Sequence, residues 1–171
     1  MTEASLTLDM AKRLQGILVA RGWQVKLTRE TDVDVYRPND SAHDELQARD
    51  DIANNSGGLL LVSIHVNSFI NSGPNGTTTY YAKPSDVPLA QVIQRELASG
   101  LGTKNDGTIK SRLYIPLHAN MPAVLVETAF LSNPEDFAKL NSPDWRQKLA
   151  EMIADGIDRY ARQYPPPSGG Q

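Results

Sequence analysis

Cysteine is absent from the 171 residues, and this absence excludes disulfide bonds, thiolate nucleophiles and metal sites built on cysteine. Any metal site must therefore use histidine, aspartate or glutamate, and the chain has only three histidines. Basic residues are not in excess either, since 17 lysines and arginines face 20 acids and give a net charge of -3. Such a chain has no general attraction for phosphate backbones, so we do not expect nucleic acid as a partner.

Long apolar runs are also lacking. No stretch approaches the roughly 20 consecutive apolar residues that a membrane-crossing helix needs, so no transmembrane segment is expected. The first ten residues, MTEASLTLDM, contain acids instead of the basic region and apolar block of a signal peptide. With 40% hydrophobic residues, a chain of this length is expected to form one globular domain with its own core.

The first half of the chain contains helical and strand patterns in turn. Apolar residues at steps of three and four predict a helix from Leu6 that ends at Gly22. The alternating stretch WQVKLTR, residues 23–29, predicts a half-buried strand. The polar stretch 30–45 predicts a long surface loop, which leads to a helix near residues 46–55.

The second half continues the same alternation. The run LLLVSIHV, residues 59–66, predicts a strand that is buried on both faces, as a central parallel strand is. TTTYYA and PAVLVETAF predict two more strands, starting at Thr77 and Pro122. Helical spacing of apolar residues predicts one helix over 86–102 and a last helix from Trp145 to Tyr160.

This order of elements predicts an α/β fold, in which a mostly parallel twisted sheet carries helices on both faces in a single domain. We place that domain at residues 1–163 and interpret residues 164–171, rich in proline and glycine, as a tail or linker. Ligands of such sheets bind beyond the carboxyl ends of the strands, so residues at strand ends are the first candidates for a functional site.

Two of the predicted buried strands end on residues that can do chemistry. His65 follows one apolar run and Glu127 follows another. A carboxylate at such a position is costly to desolvate unless a cation, a metal or several donors accompany it. A hydrogen-bonded structural role explains either residue equally simply. Glu3 has a simple explanation as well, because an acid in the first turn of a helix gains about 0.3 to 1 kcal/mol from the helix dipole.

Several stretches together resemble the zinc-dependent N-acetylmuramoyl-L-alanine amidases of the amidase-3 type. SIHVNS followed at a distance by MPAVLVETAFLSN is the specific part, and the resemblance covers nearly the whole chain. The other matching stretches are EASLTLDMAKRL, GWQVKLTR, RDDIANNSGGLLLV, GTTTYY and NDGTIKSRLYI. The resemblance implies a peptidoglycan substrate and hydrolysis of the amide that joins N-acetylmuramic acid to the L-alanine of the stem peptide.

The resemblance also implies roles for particular residues. The family binds zinc through two histidines and a glutamate; its glutamate ligand falls on Glu3, its second histidine ligand on His65 and its catalytic glutamate on Glu127. Zinc held by imidazole and carboxylate lowers the pKa of a bound water towards about 7. Glu127 is then the residue that takes the proton from the attacking water and returns it to the departing nitrogen. Ser63 and Asn67 flank His65 and are candidates for orienting it or for contacting substrate, although ordinary surface or turn hydrogen bonding is the simpler explanation for each.

One part of the family pattern has no counterpart here. The family begins with a strand that ends in a motif such as Asp-Pro-Gly-His-Gly, whose histidine is the first zinc ligand, and this sequence contains no such segment. Three explanations stay open: the sequence is a piece of a protein that contains the strand, His118 or His43 supplies the third ligand, or zinc is bound weakly or not at all. An absent inner strand would also leave unpaired edges on its two neighbours.

These observations indicate two candidate functions. The first is a zinc amidase of cell-wall remodelling that acts outside the cytoplasmic membrane, where its substrate lies. The second is a catalytically silent peptidoglycan-binding or regulatory domain on the same scaffold. A zinc peptidase that cuts within stem peptides is a further alternative, which differs in the bonds that it cleaves.

Overall fold

The computed structural model describes residues 2–32 and 41–165. Its strands are β1 (Leu61–Asn67), β2 (Thr77–Tyr81), β3 (Asn105–Lys110) and β4 (Ala123–Phe130). Its helices are α1 (Glu3–Ala20), α2 (Ala42–Asn54), α3 (Val87–Gly100), α4 (Tyr114–His118), α5 (Pro134–Asn141) and α6 (Pro143–Gln163), and a short 3-10 turn spans Pro84–Asp86.

The described strands form one four-stranded sheet in the order β1-β4-β2-β3. The pairs β1–β4 and β2–β3 are parallel, and only β2–β4 is antiparallel. The predicted α/β fold with a mostly parallel sheet is therefore confirmed. Since β1 and β3 stand at the two ends of this order, each has one edge that no described strand covers.

The core lies on the face of the sheet that carries α1, α3 and α6. These helices turn apolar residues at steps of three and four towards each other and towards Val124 and Val126 of β4. The fully buried members on the helices include Leu6, Met10, Leu89, Ile93, Leu97, Leu149 and Ile153. On the opposite face α4 packs against β4 and β2, and α2 packs against α4. Near the carboxyl end of β1 the side chain of His65 is 27% exposed, whereas Thr128 and Ala129 near the end of β4 are fully buried.

Local signals fix both ends of α1. Thr2 and Ser5 form a reciprocal capping box at its start, which satisfies backbone N–H groups that a helix leaves unpaired. Gly22 has a φ of 90°, a conformation that favours glycine, and the chain leaves the helix there as the sequence predicts. This start places Glu3 in the first turn of α1.

Two expectations about strands are wrong. Residues 23–29 form no strand, because no described strand pairs with them and an alternating sequence becomes a strand only when a neighbour supplies its hydrogen bonds. The strand expected over 59–66 forms as β1, but it is not buried on both faces. Val66 is its only buried residue, because β1 is an edge strand of the described sheet.

Boundaries and small elements differ from the prediction in other places. α2 begins at Ala42, inside the predicted loop, where Ser41 and Asp44 form a capping box. The rest of that loop, residues 33–40, and most of the predicted tail, residues 166–171, lie outside the described residues. Strand β3 and the helices α4 and α5 carry too little periodicity to be predicted from the sequence.

Candidate functional site

The register of the sheet brings His65 and Glu127 together. The two residues are direct partners in the parallel pair β1–β4, and Glu127 is also the partner of Thr78 in β2. Residues opposite each other in adjacent strands project from the same face of a sheet. The side chains of His65, Glu127 and Thr78 therefore share one face, opposite the one that carries Val124 and Val126.

Glu3 reaches the same place from the start of α1. Its Oε1 lies 3.3 Å from Nδ1 of His65 and 3.4 Å from the backbone nitrogen of Val66, which donates a hydrogen bond to it. The other ring nitrogen of His65, Nε2, lies 3.1 Å from Oγ of Ser63. The histidine is thus held between a carboxylate and a hydroxyl at the carboxyl end of β1.

The pKa values of the two acids in this cluster are shifted in opposite directions. The hydrogen bond from His65 is the main reason that the pKa of Glu3 lies below its ordinary value, although partial burial opposes it. Desolvation raises the pKa of Glu127, and the negative charge of Glu3 adds to this increase while His65 opposes it. Oε2 of Glu127 is buried and has no hydrogen-bond partner in the described part of the chain.

This arrangement suits proton transfer. A carboxylate with a raised pKa and a free oxygen is a stronger proton acceptor than an ordinary carboxylate and can return the proton in a later step. Glu127 has both properties, and its strand holds it beside His65. Glu3 contacts His65 and the Val66 amide, so its carboxylate stands beside the imidazole at the carboxyl end of β1.

The donors at this cluster match zinc in kind but not in number. Imidazole nitrogen and carboxylate oxygen are common zinc ligands, and His65 and Glu3 supply one of each. A catalytic zinc site uses three protein ligands, yet among residues 2–32 and 41–165 no three histidine or acidic side chains are grouped so that they could hold a metal ion. The described residues therefore provide two of the three donors.

The other two histidines stand together elsewhere. The ring of Tyr114 contacts His43 at a centroid distance of 5.1 Å and His118 at 4.0 Å. Nδ1 of His118 is also within 2.9 Å of the carbonyl oxygen of Tyr114. No described contact joins either histidine to His65 or Glu3, so the structure gives no support to the expectation that one of them completes the zinc ligands.

Several polar residues around Glu127 were not foreseen. Burial, and then the negative charge of Glu127, raise the pKa of Tyr80, which lies on the same face of β2 as Thr78, the strand partner of Glu127. Asp136 is buried and its Oδ2 accepts hydrogen bonds from the backbone nitrogens of Gly76 and Phe130, which ties the end of β4 to the start of β2. The alternation in TTTYYA does place Thr78 and Tyr80 on one face, but only the antiparallel pairing with β4 brings that face to Glu127.

Asp50 is a second acid with an unusual environment. It is 3% exposed, and neither carboxylate oxygen has a hydrogen-bond partner in the described residues. Desolvation raises its pKa to about 6, although the positive charges of His118 and Lys83 oppose this change. Above pH 6 the folded state thus holds a buried charge that the unfolded chain exposes to water.

We expect Asp50→Asn to stabilise the protein in a way that depends on pH. Because the pKa of Asp50 is higher in the folded state, the folded protein is penalised above pH 6 by up to about 3 kcal/mol; the penalty falls to about 0.5 kcal/mol at pH 4 and disappears only below about pH 3, where both states are protonated. Urea unfolding at pH 8 and at pH 4 measures the difference. Glu30→Gln, at an exposed position, is the control and should change little at either pH. An equal effect of Asp50→Asn at both pH values would contradict this explanation.

This mixed α/β domain gathers an imidazole and two carboxylates at the end of a parallel strand pair, and these are groups that hydrolases use. The chain belongs to the N-acetylmuramoyl-L-alanine amidase family, whose model matches residues 1–159. Among curated proteins, LytC of Bacillus subtilis (strain 168), an N-acetylmuramoyl-L-alanine amidase, is 37% identical over 164 residues, which cover 94% of this chain and 31% of LytC. The germination-specific N-acetylmuramoyl-L-alanine amidase of the same organism is 31% identical over 166 residues, covering 92% of this chain and 70% of that protein.

Solved structures show the same fold. The CwlD amidase from Clostridioides difficile, determined in complex with the GerS lipoprotein, has a TM-score of 0.87 at 29% identity, with 95% of this chain and 88% of that chain covered. AmiC2 of Nostoc punctiforme, also an N-acetylmuramoyl-L-alanine amidase, has a TM-score of 0.84 at 35% identity, with 94% and 84% covered. The chain spans only about a third of LytC. None of the helices in the described part of the chain has the length and apolar character that a bilayer crossing requires.

Proposed function

We propose that this domain hydrolyses the amide between the lactyl group of N-acetylmuramic acid and the L-alanine of the peptidoglycan stem peptide. Family membership supports the bond type, since its relatives are named for this activity. The single observation that carries the proposal is the position of Glu127. It is the strand partner of His65, has a raised pKa and keeps one buried oxygen free of any described partner.

In this proposal Glu127 moves the proton. Its carboxylate accepts a proton from the water that attacks the amide carbonyl, and the same group then delivers that proton to the alanine nitrogen as the C–N bond breaks. Both transfers happen on one side of the scissile bond, so one carboxylate serves both. Tyr80 lies on the same face of the sheet as Glu127, and we propose that its phenol donates a hydrogen bond to the substrate.

His65 and Glu3 are the residues that we propose hold zinc. When bound, zinc polarises the amide carbonyl and makes a water more acidic. Oε1 of Glu3 and Nδ1 of His65 lie 3.3 Å apart, so the two donor atoms stand close enough to bind one ion, and Ser63 contacts the other ring nitrogen, Nε2, and orients the ring. The described residues supply two donors of the three expected for such a site, and the third is not among them.

A peptidoglycan substrate places the action outside the cytoplasmic membrane, in the periplasm, the cell wall or the medium. Relatives from Staphylococcus epidermidis are named as probable cell wall amidases, which supports this location. The substrate is a glycopeptide polymer, so the partner that we propose is the wall itself.

The deciding experiment combines a metal measurement with a product assay. Protein purified without chelator is analysed for zinc by mass spectrometry, and purified peptidoglycan is incubated with it and examined for new N-terminal alanine. We expect alanine ends to appear, to increase with added zinc, and to disappear when His65 is replaced by alanine. Release of alanine ends at the same rate in metal-free protein would contradict the zinc assignment, and cleavage inside the stem peptide would identify a peptidase instead.

A second candidate function is a silent domain that binds peptidoglycan without cleaving it. The observation that favours it is the grouping of only two metal donors in the described residues. It predicts that the protein sediments with insoluble peptidoglycan while no alanine ends appear at any zinc concentration. That combination of results would overturn the amidase proposal for this chain.

A further inference from the structure

The pairing between β1 and β4 changes register immediately after His65 and Glu127. These two residues are opposite each other, but the next pair joins Asn67 to Phe130, so two steps along β1 correspond to three along β4. An extra residue in one strand is a bulge, which bends that strand and interrupts its regular hydrogen bonds. Bulges are frequent next to active sites, where they direct a side chain. The relative position of His65 and Glu127 therefore depends on how this bulge is held.

A threonine hydroxyl holds the bulge on the β1 side. Thr128 follows Glu127 directly and is fully buried. Its Oγ1 donates a hydrogen bond to the backbone carbonyl oxygen of His65 at 2.9 Å. This bond connects the neighbour of the proposed general base to the residue that carries the imidazole.

A second threonine holds the bulge on the β2 side. The pairing of β2 with β4 in the described sheet ends at Thr78 and Glu127. Just beyond this pair, Oγ1 of Thr77 donates to the carbonyl oxygen of Thr128 at 3.0 Å, so a side chain takes the place of the ladder. Oγ1 of Thr77 also lies 2.6 Å from Oγ1 of Thr103. Because Thr77 uses its only hydroxyl proton on the carbonyl, Thr103 is the donor in that contact.

Thr103, Thr77 and Thr128 together form a chain of hydroxyl groups, which we call the threonine chain. It crosses the sheet from the start of β2 to β1, and it holds Thr128 both by its hydroxyl and by its carbonyl. After the bulge, the backbone nitrogen of Leu131 donates to the carbonyl oxygen of Asn67 at 2.8 Å, so pairing between the two segments resumes there. The threonine chain thus acts on the peptide units that lie between two regular contacts of β1 and β4.

We propose that the threonine chain positions the candidate site, with Thr128 as the positioning residue that fixes the Glu127 carboxylate relative to the His65 imidazole. Thr77 supports Thr128 from β2. Both threonines are buried, so they act through other residues and do not touch the substrate. This role rests on the hydrolysis proposed above. Because a misplacement of about 1 Å can lower a rate by roughly 10²-fold, hydrogen bonds this close to both residues should affect turnover strongly.

Thr128→Val removes the hydroxyl and keeps the shape of the side chain. With sonicated peptidoglycan at saturating zinc, we expect kcat for the release of alanine ends to fall about 10 to 100-fold and KM to stay within about twofold. Thr128→Ser restores the hydroxyl and should keep at least about a third of the original kcat. If serine rescued no better than valine, the methyl packing and not the hydrogen bond would be responsible, and the proposal would be wrong.

Thr79→Val is the matched control. Thr79 is also fully buried, and its Oγ1 donates to Oε1 of Gln94 at 2.7 Å, so valine removes the same kind of hydrogen bond away from the bulge. Both valine variants should lower the melting temperature by a similar amount, but only Thr128→Val should lower kcat. An equal loss of kcat in the two variants would show that the hydroxyl acts through global stability, which overturns the proposal.

Hydrogen exchange tests the positioning without turnover. We expect Thr128→Val to speed exchange of the Leu131 amide at least about fivefold and to leave the Val124 amide, in the regular part of β4, unchanged. If the unchanged protein released no alanine ends, the proposed hydrolysis would fail, and the exchange result would decide by itself whether the threonine chain holds the bulge. Unchanged exchange at Leu131 counts against the proposal in either case.

Thr77→Val tests the other side of the bulge and replaces the first variant if Thr128→Val does not fold. It removes the donor to the Thr128 carbonyl and leaves the bond to His65 in place. We therefore expect a smaller effect, a fall in kcat of at least about threefold with KM unchanged. A Thr77 variant with the full rate and normal exchange at Leu131 would contradict the role of the threonine chain.

Discussion

Replacing Glu127 with glutamine is expected to lower the release of alanine ends from peptidoglycan by about 10² to 10⁴-fold, the usual contribution of a positioned general acid and base. Glutamine keeps the size of the side chain but accepts no proton at neutral pH. The substitution also removes a buried charge, so the fold should be retained or slightly stabilised. The measurement is the initial rate with purified peptidoglycan at saturating zinc, together with the zinc content of the variant.

The zinc content separates a chemical role from a structural one. Because Glu127 is proposed to stand free of the metal, Glu127→Gln should bind as much zinc as the unchanged protein, whereas His65→Ala should bind less. Glu30→Gln, at an exposed position, is the matched control and should keep its full rate. If the Glu127 variant retained most of its activity, the general-base assignment would be wrong.

The sequence predicted those parts of the candidate site in which a polar side chain ends an apolar strand. A histidine and a glutamate at the ends of apolar strands are expensive unless they meet partners, and the parallel ladder does make His65 and Glu127 partners. Glu3 was a weaker expectation because the helix dipole alone accounts for an acid at that position. Its contact with His65 depends on how α1 packs beside β1, which no local pattern encodes.

The sequence did not determine which segments pair with each other as strands, or in which register. Residues 23–29 have the alternation of a strand, yet alternation describes which side chains can be buried and supplies no hydrogen-bond partner. The run that forms β1 has the composition of a central strand but ends as an edge strand of the described sheet for the same reason. Thr78 and Tyr80 reach Glu127 only through the antiparallel register of β2 with β4, and register is a tertiary property.

Short helices and strands are a second kind of feature that could not be predicted from the sequence. β3 contains Gly107 with a φ of 82°, and α4 has only five residues, so neither builds a periodic pattern long enough to identify.

Asp86 supports the strand that carries Glu127, and its replacement by asparagine is expected to destabilise the protein by about 3 kcal/mol. The residue is fully buried; Oδ2 accepts hydrogen bonds from the backbone nitrogens of Ala82 at 3.2 Å and Lys83 at 2.7 Å, and Oδ1 accepts one from Ala123 at 3.0 Å. Asparagine has a single acceptor oxygen, so its NH₂ group must face one of these donors.

Loss of the hydrogen bond to Ala123 should also affect the site. Ala123 is the first residue of β4, and Glu127 lies four residues further along the same strand. Thermal unfolding should show a melting temperature lower by roughly 6 to 12 °C for a domain of this size. Asp155→Asn is the control: Asp155 forms a half-exposed ion pair with Arg21, so its loss should cost less than about 1 kcal/mol. Equal destabilisation by the two substitutions would mean that the backbone hydrogen bonds of Asp86 do not hold β4 in place.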